Sequence, residues 1–202
     1  MQSSWPILDH AVNDPAGDVT DAAGLPEGSC AGMDILKAAT SRSGDLLTLT
    51  LTLNGPPTAA AAVSCGATAT GGLWGAEFWS SPSDNYYVAY KDNPADGAPG
   101  VEAGRLAALA PTLTQNEFQK VEPGTLGGTC FATPPPLGAC TITMTVSLSG
   151  LGIKSGAGLY SVTGLSVYLF GSTSQIPDTR RGLGVSNQAD AAAALDQDGT
   201  GT

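Results

Sequence analysis

The chain has 202 residues, 42% of them hydrophobic, only 13% charged, and a formal net charge of −10. That length and apolar content suffice for one large β domain with a real core. The eight scattered Lys and Arg residues, of which only Arg180 and Arg181 are adjacent, exclude the clustered basic footprint that nucleic-acid binding needs to displace counterions.

In chain order, residues 1–33 read as an irregular arm with turns at "NDPAGD" and "GLPEGS". Residues 34–42 and 45–53 predict two strands joined by a hairpin turn at "SRSGD". The second of them, "DLLTLTLTL", puts Leu47, Leu49, Leu51 and Leu53 on one face and Thr48, Thr50 and Thr52 on the other. The alanine run of "PPTAAAAVSCGATATGG" fits a short helical turn or a loop equally well. Residues 72–80 and 85–92 predict a second hairpin around "SPSDN", followed by a turn-rich loop, "DNPADGAPG". Strands are expected at 101–109 and 117–122, then at 140–149, where Ile142, Met144, Val146 and Leu148 alternate inward. The segment 158–172 predicts the last strong strand. Beyond 173 the chain is polar, and "ADAAAALD" passes for a short helix. Frequent turns and alternating strands without a β–α–β rhythm predict an all-β, antiparallel β-sandwich or jelly roll of about 8–10 strands. The expected layout is one domain over 1–202, with the arm at 1–33 and an extended tail at 173–202.

Cys30, Cys65, Cys130 and Cys140 contain no C-x-x-C pair, which argues against structural zinc. Cys130 and Cys140 bracket the proline-rich loop "FATPPPLGA", and Cys30 and Cys65 flank the first hairpin. Of the three connectivities, 30–65 with 130–140 is favoured. Disulfides need an oxidising compartment, so an extracellular or cell-surface location is expected. No stretch is apolar enough for a membrane span. "MQSSWPILDH" lacks the pattern of a signal peptide and reads as a mature start, and "LDQDGTGT" reads as a lead into a linker.

The stretch "DPAGDVTDAAG…MDILKAATSRSGDLLTLTLTL" resembles the opening of DOMON-like sandwich modules, which include the family-nine carbohydrate-binding modules and C-terminal modules of some glucodextranases. The segment "VTGLSVYLFGSTS…NQADAAAALDQDGTGT" is similar to the closing part of related exported bacterial proteins, some attached to secreted hydrolases. The resemblance implies a sandwich fold that hosts sugar-binding, haem-binding and architectural roles. It also implies Ca²⁺ pinning the N-terminal segment, with Asp14, Asp18, Asp34 and Asp21 as ligands, since calcium takes six to eight hard oxygens. The competing reading, which the residue types favour, is that these aspartates form Asx turns that cap their own backbone. "DQDG" at 196–199 lacks the remaining oxygens of a calcium loop.

A sugar ring stacks its C–H face on an aromatic side chain, and the aromatics here cluster in one hairpin. Trp74, Ala76 and Phe78, with Tyr86, Val88 and Tyr90, suit the core. The opposite face carries Glu77, Trp79, Tyr87 and Lys91, with Asn85 and Asp84 at its edge. Trp79, Glu77, Tyr87 and Asn85 are therefore the candidate glycan platform, and ordinary cross-strand packing is the competing reading. Haem has poor prospects, because the one histidine, His10, lies on the arm and Met144 faces the core. No catalytic triad, nucleophile elbow or phosphate loop is present, so no enzyme is expected. Two functions remain: a non-catalytic module for polysaccharide or cell-wall glycan, stabilised by calcium, or a structural or adhesive surface domain, an accessory to a secreted hydrolase or a filament or surface-layer subunit, with no small-molecule ligand.

Overall fold

Leucine at every second position of the second strand of the first hairpin commits one face of that strand to the interior. The computed structural model describes residues 10–13, 16, 19, 30–65, 69–81, 84–106, 118–154, 156–169 and 188–191. These contain strands β1 (His10–Asn13), β2 (Ile35–Ser43), β3 (Leu46–Leu53), β4 (Gly71–Ser81), β5 (Asp84–Asp92), β6 (Gly100–Leu106), β7 (Phe118–Pro123), β8 (Thr125–Gly127), β9 (Cys140–Ser147), β10 (Tyr160–Leu169) and β11 (Gln188–Ala191). One α-helix, α1 (Ala59–Cys65), joins β3 to β4, and 3₁₀ turns occupy Pro94–Asp96 and Thr129–Phe131.

The strands form two antiparallel sheets, one in the order β1-β2-β3-β9-β8 and the other in the order β11-β10-β4-β5-β6-β7. The all-β sandwich expected from the alternation is therefore the fold. Along β3 and β9 the burial alternates without a break. Leu47, Leu49, Leu51 and Leu53 lie beside Ile142, Met144 and Val146 on the inner face of this sheet, where each is at most 2% exposed. Burying each such side chain contributes about 1.5–3 kcal/mol. The second sheet supplies Trp74, Ala76, Phe78, Tyr86, Val88, Tyr90 and Tyr168 to the same core cluster. The expected core face of the β4–β5 hairpin holds, and on it Trp74 pairs with Tyr90 and Phe78 with Tyr86. Their ring centroids stack 5.9 and 5.8 Å apart.

Both expected disulfides, Cys30–Cys65 and Cys130–Cys140, are present. The first ties α1 to a turn that closes one end of the sandwich. There the Gly32 carbonyl accepts from Trp74 Nε1 at 2.7 Å and the Met33 carbonyl from Ser166 Oγ at 2.6 Å, both buried. A Cβ at Gly72 would collide with the Trp74 indole, so glycine there lets the ring fold back into this corner.

One open reading is resolved here, and two stretches depart from the sequence reading. The alanine run is a helix, because Thr58 Oγ1 caps Ala61 N–H and the Asp92 carboxylate accepts from Ala59 N–H at 2.7 Å. β1 interrupts the arm expected to be irregular, held by pairing of His10–Asn13 with Lys37–Thr40. β11 occupies the start of the stretch read as a short helix, where pairing with Leu165–Val167 overrides alanine's helix preference.

Candidate functional site

Among the described residues, the second sheet carries buried apolar side chains on both faces. Its inner face joins the main core. Its outer face carries a separate apolar cluster of Leu73, Tyr87, Ala89, Leu165, Val167 and Leu169. The cluster arises from the parity of β4, β5 and β10, whose residues alternate between an apolar inner row and this second row.

The hairpin brings the four candidate platform residues together. Glu77 lies opposite Tyr87, and Trp79 opposite Asn85. Glu77 also takes a hydrogen bond from Asn85. Their exposure is graded: Glu77, Trp79 and Asn85 are half-buried at the turn end of the hairpin, whereas Tyr87 is only 3% exposed. Burial pushes the Glu77 carboxyl above its usual range, and the Asn85 hydrogen bond offsets part of that rise. Asn85 Oδ1 is itself buried and receives no hydrogen bond from the described residues. Asp84, at the edge of the patch, is held by Arg105 and by Ser81.

Of the expected calcium ligands, Asp14, Asp18 and Asp21 lie outside the described residues. Asp34 is 2% exposed. Its Oδ2 accepts from Asn54 Nδ2 at 2.9 Å, and its carbonyl accepts from Asn54 N–H at 2.9 Å. Asp34 thereby fixes the start of β2 against the end of β3. Among the described residues no group of three or more His, Cys, Asp and Glu side chains is placed to hold a metal ion.

No family model matches the chain, and no curated protein matches it.

One set of groups on the outer face escaped the sequence reading. Lys91 Nζ lies 3.0 Å from Glu102 Oε2 and 3.5 Å from Asp96 Oδ2. Tyr87 donates its hydroxyl hydrogen to Glu102 Oε1 at 3.4 Å. Burial first, then the charge of Glu102 and the bond to it, hold the Tyr87 phenol far above its usual range. Asn93, 1% exposed, donates from Nδ2 to Asp96 Oδ2 at 3.0 Å. Its Oδ1 accepts from Thr70 Oγ1 at 3.1 Å and from Ala95 N–H at 3.3 Å. The alternation of β6 carried the missing signal: Val101 and Ala103 face inward, which turns Glu102 toward Tyr87 and Lys91.

The outer face of the first sheet is different. Thr48, Thr50 and Thr52 of β3 pair directly with Thr145, Thr143 and Thr141 of β9. All six are half-buried, as expected on a solvated sheet face, and Thr48 and Thr145 share a hydroxyl hydrogen bond at 3.0 Å.

Proposed function

We propose that this chain is a structural or adhesive domain of an exported bacterial protein, serving a surface assembly or standing beside a secreted neighbour. The observation that carries this reading is the burial of Tyr87 within an apolar second face. An aromatic platform needs ring faces open to the sugar, and here the central ring of the expected platform is covered. The paired threonines of β3 and β9 on the outer face of the first sheet offer, among the described residues, no aromatic ring to replace it. The two disulfides fit an oxidising compartment. Among the described residues no helix is long and apolar enough to cross a membrane.

One observation favours glycan binding as a second reading. Half-buried Trp79 and Glu77 adjoin Asn85, whose buried Oδ1 lacks a donor among the described residues. A sugar hydroxyl is a suitable donor for such an atom. Retention on insoluble polysaccharides and cell-wall preparations separates the two readings, with wild type and Trp79→Ala compared in parallel. The structural reading expects neither protein to be retained. Retention of wild type that Trp79→Ala abolishes would replace it with the glycan reading.

A further inference from the structure

The Lys91 cluster has the chemistry of a self-modifying site. Its ammonium is shared between two carboxylates, and all three side chains are largely removed from solvent, at 16% exposure for Lys91, 8% for Asp96 and 9% for Glu102. Ions held this way keep their mutual attraction but have lost most of their hydration. A neutral amide in the same place has far less to lose by burial. Each group also stands where a condensation would need it. Lys91 Nζ is an amine within contact distance of the Asp96 carboxyl. Glu102 touches that same nitrogen and is oriented from its other oxygen by the Tyr87 hydroxyl. Asn93 Nδ2 donates to Asp96 Oδ2, where charge builds as the carboxyl carbon is attacked, and Asn93 is held in place by Thr70 and Ala95.

From this arrangement we infer that Lys91 and Asp96 join through an intramolecular amide bond, with Glu102 carrying the protons. Nζ, having given a proton to Glu102, attacks Cγ of Asp96. The new bond is Nζ–Cγ, and the bond that breaks is Cγ to the carboxyl oxygen not held by Asn93. Both protons lost by the ammonium end on the departing oxygen, which leaves as water. Charge and atoms balance without oxidant, nucleotide or other co-reactant: one ammonium and one carboxylate become one amide and one water. Glu102 finishes ionised, facing the Tyr87 hydroxyl and the new amide N–H. The bond would lock the 3₁₀ turn Pro94–Asp96 onto the end of β5. It does not depend on which binding role the domain has.

Mass spectrometry of the purified full chain tests this directly. The intact protein is expected to be lighter by one water than its sequence with two disulfides. After reduction, trypsin should leave Lys91 uncut, because an acylated lysine is not a substrate. Residues 43–105, which contain no other Lys or Arg before Arg105, then emerge as one peptide. Glu102→Gln and Lys91→Met are expected to show the full mass. In Glu102→Gln, trypsin should cleave at Lys91, with strand content by circular dichroism matching wild type. A wild-type chain at full mass and cut at Lys91 overturns the inference, and that result needs no variant to fold. Water loss with Lys91 still cut also overturns it, since it would mark cyclisation at an Asp-Gly pair, Asp96–Gly97 or Asp198–Gly199. A bond that still forms in Glu102→Gln removes Glu102 from the proton-carrying role.

Discussion

Asp45 stands in the β2–β3 turn, yet its hydrogen bonds run to a distant part of the chain. Its carboxylate accepts from Ser147 Oγ at 2.6 Å, Ser149 Oγ at 2.7 Å and Ser149 N–H at 3.0 Å. These bonds, Ser147's first, favour the ionised form and hold the carboxyl below its usual range against the opposing effect of desolvation. A value lower in the folded than in the unfolded chain means that its contribution is present above the ordinary carboxylate range. The contribution is lost as pH falls through the folded value. The Tm gap between wild type and Asp45→Ala, followed from neutrality down to about pH 2, is therefore expected to be widest at neutral pH and to close in acid. A gap that widened in acid would contradict the capping role. Glu77 has the opposite sign: its raised carboxyl makes ionisation costly in the fold, so its effect on stability turns unfavourable as pH rises past the usual range. Neither behaviour was readable beforehand: that of Asp45 depends on serines that only the folded strands bring near, and that of Glu77 on burial that arises only in the fold.

The strands themselves were far more legible. Period-two alternation locates β3 and β9 to within a residue or two, since each must bury one row and solvate the other. The same alternation sets a test. Leu51→Ala removes a side chain that is 0% exposed and is expected to cost about 2–5 kcal/mol. Thr50→Ala, one residue away on the solvated face, should cost less than about 1 kcal/mol. Denaturant midpoints of the two variants would separate widely; equal losses would mean that both faces of β3 are packed. Short elements were less legible. β1, β8 and β11 have four, three and four residues, too few for periodicity to show, and pairing with a longer neighbour defines them. The candidate site was half legible for the same reason. Glu77, Trp79, Asn85 and Tyr87 meet because hairpin register is local. Asp96 and Glu102 reach Lys91 only once the 3₁₀ turn brings the chain back into β6, and no pattern within one strand announces that return.

Across the whole molecule the chain changes sheets three times after β3: over to β4–β7, back to β8 and β9, and over again to β10. The two covalent staples close loops of unequal size within this path. Cys30–Cys65 spans 35 residues and Cys130–Cys140 spans 10. If loop-closure entropy dominates, replacing the first pair by alanine costs about 4 kcal/mol and the second about 3 kcal/mol. Guanidinium unfolding of the two double-alanine variants checks that order, and a reversal would show that local packing outweighs chain entropy. Cysteine placement around the first hairpin and around a proline-rich loop favoured this connectivity among three, and the folded chain shows it. The covering of the second sheet's outer face was not readable from the sequence, because an apolar row there looks the same whether it meets solvent or protein.

β8 closes one edge of the first sheet with only three residues, and Gly128, at φ 111°, turns the chain away into the loop held by Cys130 and Cys140. An edge so brief leaves few main-chain donors and acceptors for a stranger's strand to grip. Where many copies crowd together, this border therefore resists the sideways zippering that seeds amyloid-like fibres, and neighbours meeting there must recognise one another through side chains.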